Sequence, residues 1–200
     1  MTPEMTRKPR ADVLRNRALI LETAQRHFLQ QGVNTSLDAI AKEAGIGPGT
    51  LYRHFPTREA LLAAVLQTRS EELAQRHAEA ARLSDPSEAL QVWLSALEEY
   101  LNSFSGLPEP LMAAARASEA DNPLTLPCTE LTEMTEGFLA PAQRSGAARP
   151  DVTGRDLFMA AAALAWVKGV DSTEGTLLTG LRRLVAEGYR QPTLDKGETA

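Results

Sequence analysis

The sequence predicts an all-α protein, and three observations carry that reading. Long windows repeat apolar residues at three- and four-residue spacing, the period that lines one face of a helix. Strong helix formers (Ala, Leu, Glu, Arg, Gln) dominate, and no segment shows the strict alternation of a half-buried strand. Capping signals, a hydroxyl or Asp with an acidic residue three positions on, stand ahead of several windows. Together these predict about nine helices and no sheet.

The first window, about 11–31, puts Ile20, Ala24 and Phe28 on one face and stops at Gly32, a natural C-terminal cap. A short helix over about 37–44 follows, capped by Ser36 or by Thr35 with Asp38, and Gly45 ends it. Pro48 sits in the first turn of a second short helix, where its missing N–H costs nothing. Pro56 disfavours helical geometry at Phe55, so that helix stops near His54. One long helix is expected over about 57–83. Asp85-Pro86-Ser87-Glu88 then opens a helix with Leu90, Trp93, Leu94, Leu97, Leu101 and Phe104 on one stripe. Gly106, Pro108 and Pro110 break the pattern before a shorter helix at about 111–118 and another at about 129–145. Thr153 and Asp156 form a capping box ahead of an Ala-rich helix over about 155–168. The last helix, about 174–189, is expected to turn Leu177, Leu178, Leu181, Leu184 and Val185 inward.

The 200 residues carry 21 Lys and Arg against 26 Asp and Glu, a net charge of −5. With 43% apolar and 24% charged residues the composition is that of a globular protein of one or two small domains. The longest apolar run, residues 157–167, falls well short of the roughly twenty a bilayer span needs. The polar, basic start MTPEMTRKPRADVLRNR lacks the apolar stretch of a signal peptide. A lone cysteine, Cys128, forms no internal disulfide or thiolate cluster, so a reduced cytoplasm is the expected setting. Charge is unevenly placed: residues 1–60 hold nine Lys and Arg and six Asp and Glu, and the rest hold twelve and twenty. A basic head on an acidic body suggests that the head meets a polyanion.

Residues 36–55, SLDAIAKEAGIGPGTLYRHF, carry the strongest signal. Two short helices joined by a tight glycine turn have the layout of a helix-turn-helix, with Leu37, Ile40, Ala41, Ile46 and Leu51 as its shared core. The preceding helix completes that core. The blocks ILETAQRHFLQQGV, then this unit, then TLYRHFPTREALLAAVL resemble the TetR family of bacterial transcriptional regulators over about 15–66. Gly-Thr-Leu-Tyr, one residue, then His-Phe is the most specific part. The resemblance implies an N-terminal three-helix helix-turn-helix DNA-binding domain and a C-terminal helical-bundle ligand-binding and dimerisation domain. It implies a ligand-responsive repressor that binds a palindromic operator as a homodimer. Expected boundaries are a disordered basic arm at 1–10, the DNA-binding domain at 11–56, the ligand-binding and dimerisation domain at 57–190 and a disordered tail at 191–200.

Helical geometry turns Leu51 and Phe55 inward and Gly49, Thr50 and Arg53 outward, with Tyr52 on the flank. The resemblance implies that this second helix enters the major groove and that Tyr52 and His54 touch phosphates. It also implies a phosphate contact for Arg58. The Ser36 hydroxyl at a helix N-terminus suits a phosphate as well. Arg15 and Arg17, with Arg7, Lys8 and Arg10 before them, would track the backbone or enter the minor groove. Gly47, Pro48 and Gly49 offer no polar side chain, so base reading falls to Thr50, Arg53, Lys42 and close approach at Gly49. Arg53 reads guanine or simply holds a phosphate.

The remaining residues point to no chemistry of their own. No two histidines stand at metal-ligand spacing, no nucleophile elbow or phosphate loop is present, and no cofactor is expected. His27 is expected to be structural, His77 to lie on a solvated face, and Cys128 to follow a proline in a loop. Glu98 and Glu99, adjacent on a helix, diverge by about 100° and cannot converge on one substrate. An enzyme is therefore disfavoured, and the alternative is a helical small-molecule-binding module that no longer binds DNA. A pocket beside the long helix is expected among Trp93, Leu97, Tyr100, Phe104, Met112, Met134 and Phe138, for a small, mostly apolar effector. Phe158, Trp166, Leu177, Leu181, Leu184 and Val185, on the last two helices, are expected to pair with a twin.

Overall fold

The computed structural model describes residues 8–117, 121–170 and 176–191. Among them are ten helices: α1 (Lys8–Gln31), α2 (Leu37–Glu43), α3 (Pro48–His54), α4 (Arg58–Thr68), α5 (Ser70–Ala80), α6 (Pro86–Leu101), α7 (Pro108–Ala117), α8 (Thr125–Arg144), α9 (Gly154–Val170) and α10 (Thr176–Tyr189). No strand occurs among the described residues; an isolated antiparallel bridge pairs Ala148 with Arg190. The fold is all-α, with a helix-turn-helix head and a helical body. Residues 1–7 of the expected basic arm and 192–200 of the expected tail lie outside the described residues, and helix already covers Lys8 to Arg10.

The tenth helix comes from a break that periodicity does not show. The expected long helix over 57–83 is two helices, α4 and α5, separated at Arg69 (φ −103°, ψ 4°). The Thr68 hydroxyl donates to Val65 O at 2.6 Å, and Arg69 N bonds back to Leu66 O. Such local bonds compete with the helical ladder. Glu71 and Glu72 then favour a fresh helix start through the macrodipole, and Arg69 pairs with Glu72 at 2.9 Å. The single long helix expected over 57–83 is therefore corrected to a jointed pair.

Three smaller corrections follow from local chemistry. Pro108 and Pro110 belong to the first turn of α7, where no N–H is needed. Helix α8 starts at Thr125 because Asn122 Oδ1 accepts from Leu124 N at 2.9 Å and turns the chain into it. Cys128 therefore sits inside a helix, buried, and not in a loop; its thiol donates to Leu111 O at 3.3 Å.

In the body, α6 packs on α5, α8 and α9, while α10 packs chiefly on α9. Trp93 is fully buried, donates from Nε1 to Thr135 Oγ1 at 3.0 Å, and stacks on Phe138 at 5.4 Å between centroids. His77 is corrected from a solvated face to a half-buried site, edge-on to both rings at 5.4 and 5.0 Å. The two adjacent carboxylates do diverge: Glu98 is buried and paired with Arg182, while exposed Glu99 pairs with Arg76.

Candidate nucleic-acid interface

Helix α2 begins at Ser36, whose Oγ accepts from Ala39 N at 3.3 Å; Thr35 is buried instead, donating to Gln31 Oε1 at 3.0 Å. The turn to α3 passes through Gly45 at φ +70°, a backbone region that a side chain disfavours. Leu37, Ile40, Ala41, Leu51 and Phe55 are buried against Ile20, Ala24 and Phe28 of α1. His27 is buried between α1 and α2. Its Nε2 lies 2.7 Å from Glu43 Oε2, and Arg26 meets the other carboxylate oxygen at 3.1 Å. With Leu51 and Phe55 committed inward, α3 leaves its opposite side to solvent.

The residues expected to meet DNA fall into three groups. Lys42, Gly47, Pro48, Gly49 and Arg53 are exposed, Tyr52 is 45% exposed, and Thr50 and His54 are half-buried. A Cβ built on Gly47 or Gly49 would meet open space. Arg53 folds back along α3, its Nε donating to Gly49 O at 3.0 Å. Arg15 is exposed beside Asp12 at 3.4 Å, whereas the half-buried Arg17 lies over the Phe55 ring, 4.8 Å from its centroid. Cation–π contact thus anchors Arg17 to the end of α3.

Arg58 departs most from expectation. It is half-buried, and its Nη1 donates to Val33 O and to Thr35 O, each at 2.6 Å. These bonds occupy Nη1 of the group expected to hold a phosphate. Nothing in the local sequence pattern signals them, because both acceptors are backbone carbonyls 23 and 25 residues away.

Two features of the body stand apart from the head. A cavity of about 310 Å³ lies at the α4–α5 joint, lined by Leu66, Gln67, Ser70, Leu73, Tyr100, Pro127, Glu130, Leu131 and Met134 among others. Of the seven residues expected around a pocket, Tyr100 and Met134 line it. Trp93, Leu97, Phe104 and Phe138 are instead core side chains, and Met112 is packed against that core. Burial pushes the Tyr100 phenol up to about 12, with Arg69 opposing and Glu130 adding. The second feature is the outer side of α9 and α10, where Trp166, Leu177 and Leu184 are 40%, 55% and 63% exposed. Leu181 and Val185 are half-buried, whereas Phe158, expected beside them, is fully buried within the protomer. The inward set expected on α10 is corrected accordingly: Leu178 is its buried leucine.

Comparison with known proteins covers both regions. Residues 20–65 match the family described as bacterial regulatory proteins, tetR family. Residues 85–191, more than half of the chain, match the C-terminal domain of SbtR-like transcriptional regulators. The HTH-type transcriptional regulator SAB2452 of Staphylococcus aureus is 49% identical over 59 residues, which is 29% of this chain and 32% of that relative. The chain thus matches about a third of the length of such curated relatives. The TetR regulator SCO0520 of Streptomyces coelicolor aligns at a TM-score of 0.56 and 29% identity, over 88% of this chain and 99% of that one. The ketosteroid regulator KstR2 of Mycobacterium tuberculosis shares the fold at a TM-score of 0.56 with 21% identity, over 87% and 94% of the two chains. Head and body are both matched by regulators of one kind, and the chain belongs to the TetR family of DNA-binding transcriptional regulators.

Proposed function

We propose that the chain is a ligand-responsive repressor, acting in the cytoplasm as a homodimer on a palindromic operator. The cavity at the α4–α5 joint carries this reading, because it opens where the body is connected to the helix that leads from the head. Its wall is mostly apolar, with Gln67, Ser70 and the neutral Tyr100 phenol as polar anchors and Glu130 as its charged group. A small, mostly apolar effector without strong negative charge fits that chemistry. To release DNA it must favour the released state, by about 1.4 kcal/mol for a tenfold effect.

Ser36, Lys42, Thr50, Tyr52, Arg53, His54, Arg15 and Arg17 would meet DNA, with Gly47, Pro48 and Gly49 allowing close approach. The exposed leucines of α10 with Trp166 support a four-helix pairing of α9 and α10 with a twin. Two heads would then read half-sites about 34 Å apart, or a multiple of it. Selection of duplexes from random DNA, followed by gel shift against the winning sequence, tests the reading. A palindrome bound far more tightly than scrambled DNA at physiological salt is expected. Equal affinity for both would defeat it and favour a binding module without an operator.

A further inference from the structure

We propose that Arg58 is a positioning residue for DNA recognition, holding the α1–α2 corner in place, and is not itself a DNA contact. The inference rests on the operator reading of the head. The corner, residues 32–35, is held from both sides. From the head side, Arg58 in the first turn of α4 donates to Val33 O and Thr35 O at 2.6 Å each. From the body side, Ser105 O accepts from Val33 N at 2.9 Å. One residue is therefore gripped through its carbonyl by α4 and through its N–H by the turn between α6 and α7.

The grip has no slack. Gly32 has φ +80°, and a Cβ there would stand 2.8 Å from Ser105 O. One on Gly106 (φ +79°) would stand 3.3 Å from Val33 Cγ2. Beside the corner the Phe28 and Phe104 rings meet edge to face at 5.8 Å, and the Arg69 guanidinium lies 5.3 Å from the Phe104 centroid. Helix α2 starts directly after this corner, so the angle of the helix-turn-helix on the body depends on where the corner sits. A hydrogen bond from a charged donor is the stronger class, and Arg58 makes two to adjoining backbone. Both bonds leave from Nη1, which is thereby turned toward the protein. The turn at 104–106 follows α6, whose Tyr100 stands in the cavity wall, so an effector there is close in sequence to the grip.

The test uses the full chain and the palindrome it selects from random duplex DNA. Wild type, Arg58→Gln and Arg58→Lys are titrated against that palindrome and a scrambled duplex over a salt series, alongside thermal melting. Arg58→Gln is expected to bind the palindrome at least tenfold more weakly, with the scrambled duplex and the salt slope unchanged. Arg58→Lys, which can donate to the same carbonyls, is expected to recover most of the loss. A slope shallower by about 0.9 per protomer, with equal losses on both duplexes, would make Arg58 a phosphate contact and overturn the proposal. A lower melting temperature with unchanged affinities would make it a mere prop and also overturn it. Should Arg58→Gln not fold, Gly32→Ala, which strains the corner from the body side, is read for the same selective loss on the palindrome. A wild type with no preferred duplex overturns the operator reading, and this inference with it.

Discussion

Head and body bury their apolar residues by different means. In the head, the small Ala24 and Ala41 keep three helices close, so that Ile20, Phe28, Ile40 and Leu51 reach full burial in little more than 35 residues. In the body, Trp93, Phe104 and Phe158 fill a larger volume, yet a cavity of about 310 Å³ remains and two leucines of α10 face outward. Packing therefore closes the inner side of the head without a gap, although Val13, Leu14, Leu19 and Leu29 of α1 stay on its outside. It leaves a hole and a face of the body to be explained by something the protomer does not contain.

The largest expected effect lies in the closed region. Leu51→Ala should cost about 2–5 kcal/mol and remove DNA binding, as read by thermal melting and gel shift. The same truncation at Leu131, on the cavity wall, should fall at the low end of that range because its surroundings are already loosely filled. Equal losses at the two sites would erase the contrast. Next comes Arg182→Met, which strands Glu98, itself 6% exposed, without its partner. Water still reaches that pair, so about 1–2 kcal/mol is expected in chemical unfolding. A variant as stable as wild type would show that solvent replaces the arginine.

Alkaline pH should act on the body through two buried groups. Burial pushes the Cys128 thiol from 9.0 up to about 12, and Tyr100 from 10.0 up to about 12. Both groups stay neutral when folded but ionise first when unfolded. Their contribution is thus complete below about pH 9 and is lost as pH rises toward 12, with a slope for one group approaching about 1.4 kcal/mol per pH unit. Cys128→Ala should flatten the fall of melting temperature above pH 9, and an unchanged profile would remove the thiol from the account. The smallest effect on the protomer is expected from Leu177→Gln with Leu184→Gln, within about 0.5 kcal/mol per site. On the proposed pairing of α9 and α10 with a twin, sedimentation should nevertheless shift to a particle near 21.7 kDa. A pair of substitutions that leaves the dimer whole would move the interface elsewhere.

How far sequence reaches follows the same division. Leu51, Phe55 and Ser36 were legible because their roles follow from helical spacing and capping within a few residues. Arg58 and His77 were not. Their partners, Val33 and Thr35 for one, Trp93 and Phe138 for the other, are brought in by tertiary packing that periodicity does not encode. The Arg69 joint hides for another reason: Thr68, Arg69 and Ser70 are all tolerable in a helix, and only the competition among their hydrogen bonds decides. The α10 leucines are legible as an apolar face, but spacing cannot say whether the face turns to its own chain or to another.

The two tryptophans turn this division into an optical property. Trp93 is sealed among Thr135, Phe138 and His77, whereas Trp166 stands 40% exposed with its indole N–H donating to Glu109 Oε1 at 2.9 Å. Their emission should differ in colour, short-wavelength and protected from quenchers for Trp93, red-shifted and accessible to iodide for Trp166. Phenylalanine at either position isolates the other signal, so the core of the body and the outer side of α9 can each be followed by intrinsic fluorescence without a label.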